Sequence, residues 1–147
     1  MFVVFERLGD ARSRAVTLGD IARIRVSKGE VDEALRLQTE RLAVNRHLGD
    51  VDGVAASQWD LAQLDLRAGH HAASLPRLDE AFTLLRRTGR VDGLTVVGTT
   101  FGRLLAQNGH HERAREVLEI AAAAWRKLGN QGKAQQLDAL IASLTAP

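Results

Sequence analysis

The chain contains no cysteine and no tyrosine, only two prolines and one methionine, and no apolar run long enough to cross a bilayer. Without cysteine there are no disulfides, no thiolate zinc sites and no cysteine nucleophile, and the composition fits a reducing compartment. The opening Met1-Phe2-Val3-Val4-Phe5-Glu6-Arg7 has neither the basic lead nor the long apolar stretch and small-residue cleavage site of a secretory leader. A cytoplasmic protein with no membrane partner is therefore expected. Charge of one sign is also scarce: 20 Lys and Arg stand against 18 Asp and Glu. Residues 1–65 carry −2 and residues 66–147 carry +4, with 17 of the bases arginine. That gradient is too mild for a dedicated nucleic-acid binder, which shows a dense basic face. An RNA reading through the positive half would require an affinity that collapses with salt.

What is present is periodic. Glycines recur at Gly9, Gly49, Gly89 and Gly129, and a second set at Gly29, Gly69 and Gly109 is offset by twenty. Their flanks agree, as in Leu8-Gly9-Asp10, Leu48-Gly49-Asp50 and Leu128-Gly129-Asn130. Each twenty-residue interval reads as a helix closed by glycine, because glycine past a helix end adopts the left-handed conformation that satisfies the last carbonyls. Apolar residues between the stops fall at three- and four-residue spacing, for example Leu18, Ile21, Ala22 and then Val31, Ala34, Leu35, Leu42. The pattern predicts seven helices, near 11–28, 31–48, 52–68, 72–88, 92–108, 111–128 and 131–144. Short links make successive helices antiparallel neighbours. Pro76 is the discord: it removes an amide donor, so its helix is expected to start late or bend.

Ile21-Ala22 followed by Gly29-Glu30-Val31-Asp32-Glu33-Ala34 and Leu42 resembles the tetratricopeptide repeat (TPR). So do Leu61-Ala62 with Gly69, Leu78 and Ala81, and Phe101-Gly102 with Gly109, Ala114, Leu118 and Ala121. The period of 40 is similar to the longer repeats of kinesin light chains, G-protein-signalling modulators and bacterial signalling ATPases. The resemblance covers residues 5 to 144. It implies an all-α, right-handed superhelical solenoid forming a single domain, with complete repeats at 11–48, 52–88 and 92–128. Ala34, Ser74 and Ala114 match the family's small residue in the second helix. Arg25 and Asp65 stand where an aromatic is usual, and His71 and His111 where tyrosine is usual. Phe5 to Gly9 align on Trp125 to Gly129, so residues 1–9 are expected to end a preceding helix, and 131–144 to form an unpaired terminal one. Either a fragment of a longer array or a small protein with an exposed end would look like this.

No chemistry for turnover is apparent. The serines lack a strand–turn–helix setting, and the glycines are helix stops rather than a phosphate loop. The pairs His70-His71 and His110-His111 could offer imidazoles to zinc or nickel, but neighbouring residues seldom face one ion and no third ligand is evident. We expect no metal and no cofactor, with the second histidine of each pair packing in place of tyrosine. Trp125 is expected in the core.

The resemblance further implies that the first helix of each pair lines a concave groove. It places Gly19, Arg23 and Ser27 there, then Trp59, Gln63 and Arg67, then Thr99, Arg103 and Gln107. Arg23, Gln63 and Arg103 are equivalent at the 40-residue spacing and would form a ladder able to donate to carboxylates and to peptide backbone. Trp59 would anchor an interface. The function expected is protein–protein interaction, with a peptide segment of a partner, acidic to suit the arginine ladder, held in the groove and the chain serving a larger signalling or scaffold protein. Arginine usage and the resemblance suggest a bacterial source. The alternative is self-assembly through the apolar terminal residues Phe2, Val3, Val4 and Phe5, since such a patch seldom stays unpaired.

Overall fold

The computed structural model describes residues 2–145, and the side chains of residues 9–144. It has seven α-helices: α1 (Phe2–Ser27), α2 (Val31–Leu48), α3 (Val51–Arg67), α4 (His71–Thr88), α5 (Val91–Gln107), α6 (His111–Lys127) and α7 (Gln131–Thr145). Links of two or three residues join them. No strand occurs among the described residues. None of the described helices is long and apolar enough to cross a membrane.

The turns are built alike. At the end of α2, Gly49 has φ 67° and its amide donates to Arg46 O at 3.1 Å, while the Asp50 amide reaches back to Asn45 O at 3.0 Å. These two bonds satisfy carbonyls that the helix end would leave bare, and the positive φ is why glycine stands there. The longer bond repeats every twenty residues: Glu30 to Arg25, His70 to Asp65, Arg90 to Leu85, His110 to Leu105 and Asn130 to Trp125.

Gly9 breaks the expectation. It lies inside α1, has no positive φ, and residues 2–27 form one helix rather than the end of one and the start of another. Glycine is tolerated in both conformations, so a turn forms only where packing pulls the chain back. Continuing α1 then costs only about 1 kcal/mol of glycine propensity. Pro76 likewise sits within α4, which starts at His71 as the glycine ruler requires.

Contacts divide the chain into two compact units, Met1–Arg77 and Leu78–Pro147. In the first, Leu18 and Ala22 of α1, Ala34 and Leu37 of α2 and Leu64 of α3 form the core, with Val26, Val31, Leu35 and Val44 against it. Ala22 and Ala34 are fully buried, and their small size lets α1 and α2 approach closely. Asp65 of α3 is also buried and accepts a 2.9 Å bond from Arg77 Nε, so an ion pair fills the position where the resemblance implied an aromatic. On the surface of α2 the Arg36 guanidinium hydrogen-bonds Glu33 and holds its carboxyl below the ordinary value.

In the second unit Leu118, Ala121 and Ala122 of α6 and Leu137 of α7 form the core, flanked by Trp125, Leu140, Ile141 and Leu144. Phe82 and Phe101 meet with ring centroids 5.9 Å apart. Ser74 in the first unit and Ala114 in the second are fully buried, as the small-residue match implied.

Candidate functional site

The first unit carries a cavity of about 570 Å³ lined by Arg23, Val26 and Ser27 of α1, Gln38 of α2, and Asp60, Gln63, Leu64 and Arg67 of α3. Its size lies in the range of ordinary ligand sites, roughly 300–1,000 Å³. Helical spacing assembles it. Arg23 and Ser27 are one turn apart on α1, and Asp60, Gln63, Leu64 and Arg67 share one face of α3. Four residues expected in the groove, Arg23, Ser27, Gln63 and Arg67, therefore line one cavity.

Its polar groups are unevenly committed. Asp60 accepts from Arg41 Nη1 at 3.0 Å, and Arg41 also donates to Gln38 Oε1 at 3.1 Å. The one carboxylate in the wall is thus already matched by a cation behind it. Arg23 is largely exposed and pairs with Asp20 at 3.0 Å. Ser27 donates to Ile24 O at 2.6 Å, leaving its oxygen free to accept. Gln63 Nε2 is buried with no hydrogen-bond partner. A buried amide donor left unmatched costs about 1–3 kcal/mol, so this group favours an incoming carbonyl or carboxylate oxygen.

Other expected groove residues differ. Gly19 is buried, and a Cβ there would meet Arg41 Nε at 3.2 Å, so this glycine makes room for Arg41 instead of lining a groove. Trp59 is half-buried and outside the cavity lining. In the second unit Thr99 is engaged internally. Its hydroxyl donates to Thr95 O at 2.6 Å and accepts from Trp125 Nε1 at 3.0 Å. Arg103 and Gln107 are exposed on α5, one and two turns beyond Thr99. The side chains of Phe2, Val3, Val4 and Phe5 lie outside the described residues.

The histidines correct another expectation. His71 and His111 are both exposed, as are His70 and His110, so neither packs in place of tyrosine. Each opens a helix, where the first turn projects to solvent. Trp125, expected in the core, is half-buried against the α6–α7 cluster. Among the described residues no group of three or more His, Asp or Glu side chains could hold a metal ion.

Sequence reasoning missed the polar residues Gln38 and Asp60 and the apolar Val26 and Leu64. Asp60 could have been found, since it sits one turn before Gln63 and Leu64. Gln38 could not, because its place in the wall depends on how α2 approaches α3.

No family model matches the chain, and no curated protein matches it. Solved structures do. Two crystal structures of a Podosopora anserina protein described as a kinesin light chain with nearly identical TPR-like repeats match at TM-scores of 0.61 and 0.60. They are 20% identical over 91% of this chain and 76% of theirs. The fold is TPR-like. A crystal structure of MamA agrees, with a TM-score of 0.54 and 15% identity over 88% of this chain and 77% of that one. At such identities the likeness concerns the helix-pair repeat alone.

Proposed function

We propose that this chain is a protein-interaction module that holds a peptide segment of a partner in the cavity between α1, α2 and α3, without catalytic turnover. The observation that carries this reading is the convergence of Arg23, Gln63 and Arg67 on one cavity in which the Gln63 amide nitrogen is buried and unmatched. Arg41 neutralises Asp60 and Asp20 pairs with Arg23, so Arg67 leaves the wall cationic, which suits an acidic segment. The Gln63 donor suits a main-chain carbonyl of the same segment. Such a module would serve a larger signalling or scaffold protein.

Selection from a displayed random decapeptide library at physiological salt tests this. Enriched sequences should be acidic, and Arg23→Glu with Arg67→Glu should weaken them by roughly tenfold or more, about 1.4 kcal/mol. Enrichment of neutral sequences, or indifference to the double variant, removes the reading.

The alternative is self-assembly through Phe2, Val3, Val4 and Phe5. Molar mass by light scattering across a concentration series separates the two. A mass that stays near 16.0 kDa speaks against assembly, and growth abolished by Phe2→Ser and Phe5→Ser supports it.

A further inference from the structure

Forty residues apart, the two units bury different chemistry. In the first, Gln38, Asn45, Ser57, Gln58, Asp65 and Ser74 are buried; in the second, Thr95 is the one buried polar residue among those described. The equivalents of the first unit's polar positions are apolar in the second. Leu78 stands for Gln38, Ala81 for Arg41, Leu85 for Asn45, Val97 for Ser57, Leu105 for Asp65 and Val117 for Arg77. Leu78, Ala81 and Val117 are 0% exposed, and Val97 is 4%.

Side-chain bonds therefore join α3 to its neighbours in the first unit. Asn45 Nδ2 of α2 donates to Ser57 Oγ at 3.1 Å, and Arg41 Nη1 and Gln38 Nε2 reach Asp60 Oδ2 at 3.0 and 3.5 Å. From α4, Arg77 donates to Asp65 and to Gln58. In the second unit packing takes their place: Leu85 lies against Gly93, Phe82 against Phe101, and Ala121 against Gly98. A buried polar link returns little net free energy, because both groups leave water to make it. Burying methyl and methylene groups instead gains with all the surface removed from water. The polar links also leave remainders. Gln63 Nε2 and Arg25 Nε, both in the first unit, are buried without a partner, which is unfavourable in itself.

We infer that the first unit is a separate opening unit: α2 and α3 come apart and reclose while α5 and α6 stay packed. The cavity lined by α1, α2 and α3 exists only in the closed form, so a ligand held there draws the opening equilibrium shut. The device is independent of that ligand's identity, because it rests on the side chains between the helices. Fraying from the chain ends does not produce the difference, since α2 and α6 each lie one helix in from an end. In a stack of equal repeats the pairs α2–α3 and α5–α6 would be protected alike.

Native-state hydrogen exchange of the whole chain, read by mass spectrometry of its peptic fragments over a series of low urea concentrations, tests this. After correction for intrinsic rates, amides of α2 and α3 should exchange at least about tenfold faster than those of α5 and α6. Their rates should rise with urea, which marks exposure of a whole unit rather than fluctuation of single amides. Asn45→Leu with Ser57→Val gives the first unit the pair that the second already has, and Gly53 stands beside position 45 as Gly93 stands beside Leu85. This double variant should slow exchange in α2 and α3 by about threefold or more and leave α5 and α6 unchanged. Equal protection of the two helix pairs in the parent overturns the inference, as does greater protection of α2 and α3. A double variant that slows exchange in none of the four helices, or in all four alike, overturns it too, since the buried polar pair would then have no part in setting the difference.

Discussion

Gly102 on α5 and Leu118 on α6 are packed so closely that a Cβ at position 102 would stand 2.4 Å from Leu118 Cδ2. Four residues earlier, a Cβ at Gly98 would stand 2.9 Å from the Cβ of Ala121. The two glycines lie on one face of α5 and let α6 approach. Leu118 and Ala121 belong to the core of the second unit, so this contact helps to hold the unit together.

Gly102→Ala is therefore expected to destabilise the chain despite alanine's better helix propensity. Overpacking costs typically about 1–3 kcal/mol, against a propensity gain of about 1 kcal/mol at most. Urea denaturation of parent and variant reads the difference. A variant as stable as the parent would mean that Leu118 has another rotamer available at no cost.

Gly9→Ala should do the opposite. Gly9 sits inside α1, is exposed, and has nothing within 4 Å of where a Cβ would stand. Replacing a helical glycine by alanine gains about 0.5–1 kcal/mol. Were the chain to turn at Gly9 with a positive φ, the same substitution would destabilise it. The sign of the change in denaturation midpoint thus separates the continuous helix from a turn.

The buried pair in the first unit should be sensitive on one side. Asp65 is almost wholly buried and Arg77 is 28% exposed at its side chain, with Nε bonded to Asp65 and Nη1 to Gln58 Oε1 at 3.0 Å. Arg77→Met leaves the Asp65 carboxylate without its cation. Breaking a fully buried pair costs about 3–5 kcal/mol, and partial solvation of Arg77 lowers that to an expected ~2 kcal/mol. Arg77→Met combined with Asp65→Leu should recover most of the loss, because it removes the stranded charge. If the double variant were as unstable as the single one, the pair would be holding α4 by its hydrogen-bond geometry rather than by charge compensation.

Residue by residue, the sequence was most informative where one physical requirement has one solution. The turns at Gly29, Gly49, Gly69, Gly89, Gly109 and Gly129 all have φ between 67° and 81°, and a residue that must be glycine can be read as a stop. Gly9 carries the same flanks but lies in a helix, because glycine permits a turn without compelling one. The cavity was legible as far as it depends on spacing within a helix, hence Arg23 with Ser27 and Gln63 with Arg67. It was illegible where side chains from different helices meet. Gln38 enters the wall through the approach of α2 to α3, and the Thr99 hydroxyl is claimed by a tryptophan 26 residues away.

That last contact gives an optical test. The chain has two tryptophans, Trp59 and Trp125, and the Trp125 indole donates to Thr99 Oγ1 at 3.0 Å while Thr99 itself donates to Thr95 O. Thr99→Val keeps the shape and removes the acceptor, so the half-buried indole N–H either turns to water or stays unmatched. A net loss of about 1 kcal/mol is expected, the usual worth of one such bond. In a Trp59→Phe background the emission reports Trp125 alone, and Thr99→Val should shift its maximum while far-ultraviolet dichroism stays unchanged. Thr99→Ser retains the acceptor and should leave the emission near that of the Trp59→Phe parent. If Thr99→Ser moved the spectrum as far as Thr99→Val, the indole would be responding to the lost methyl group, and the hydrogen bond would have no part in holding Trp125 against α7.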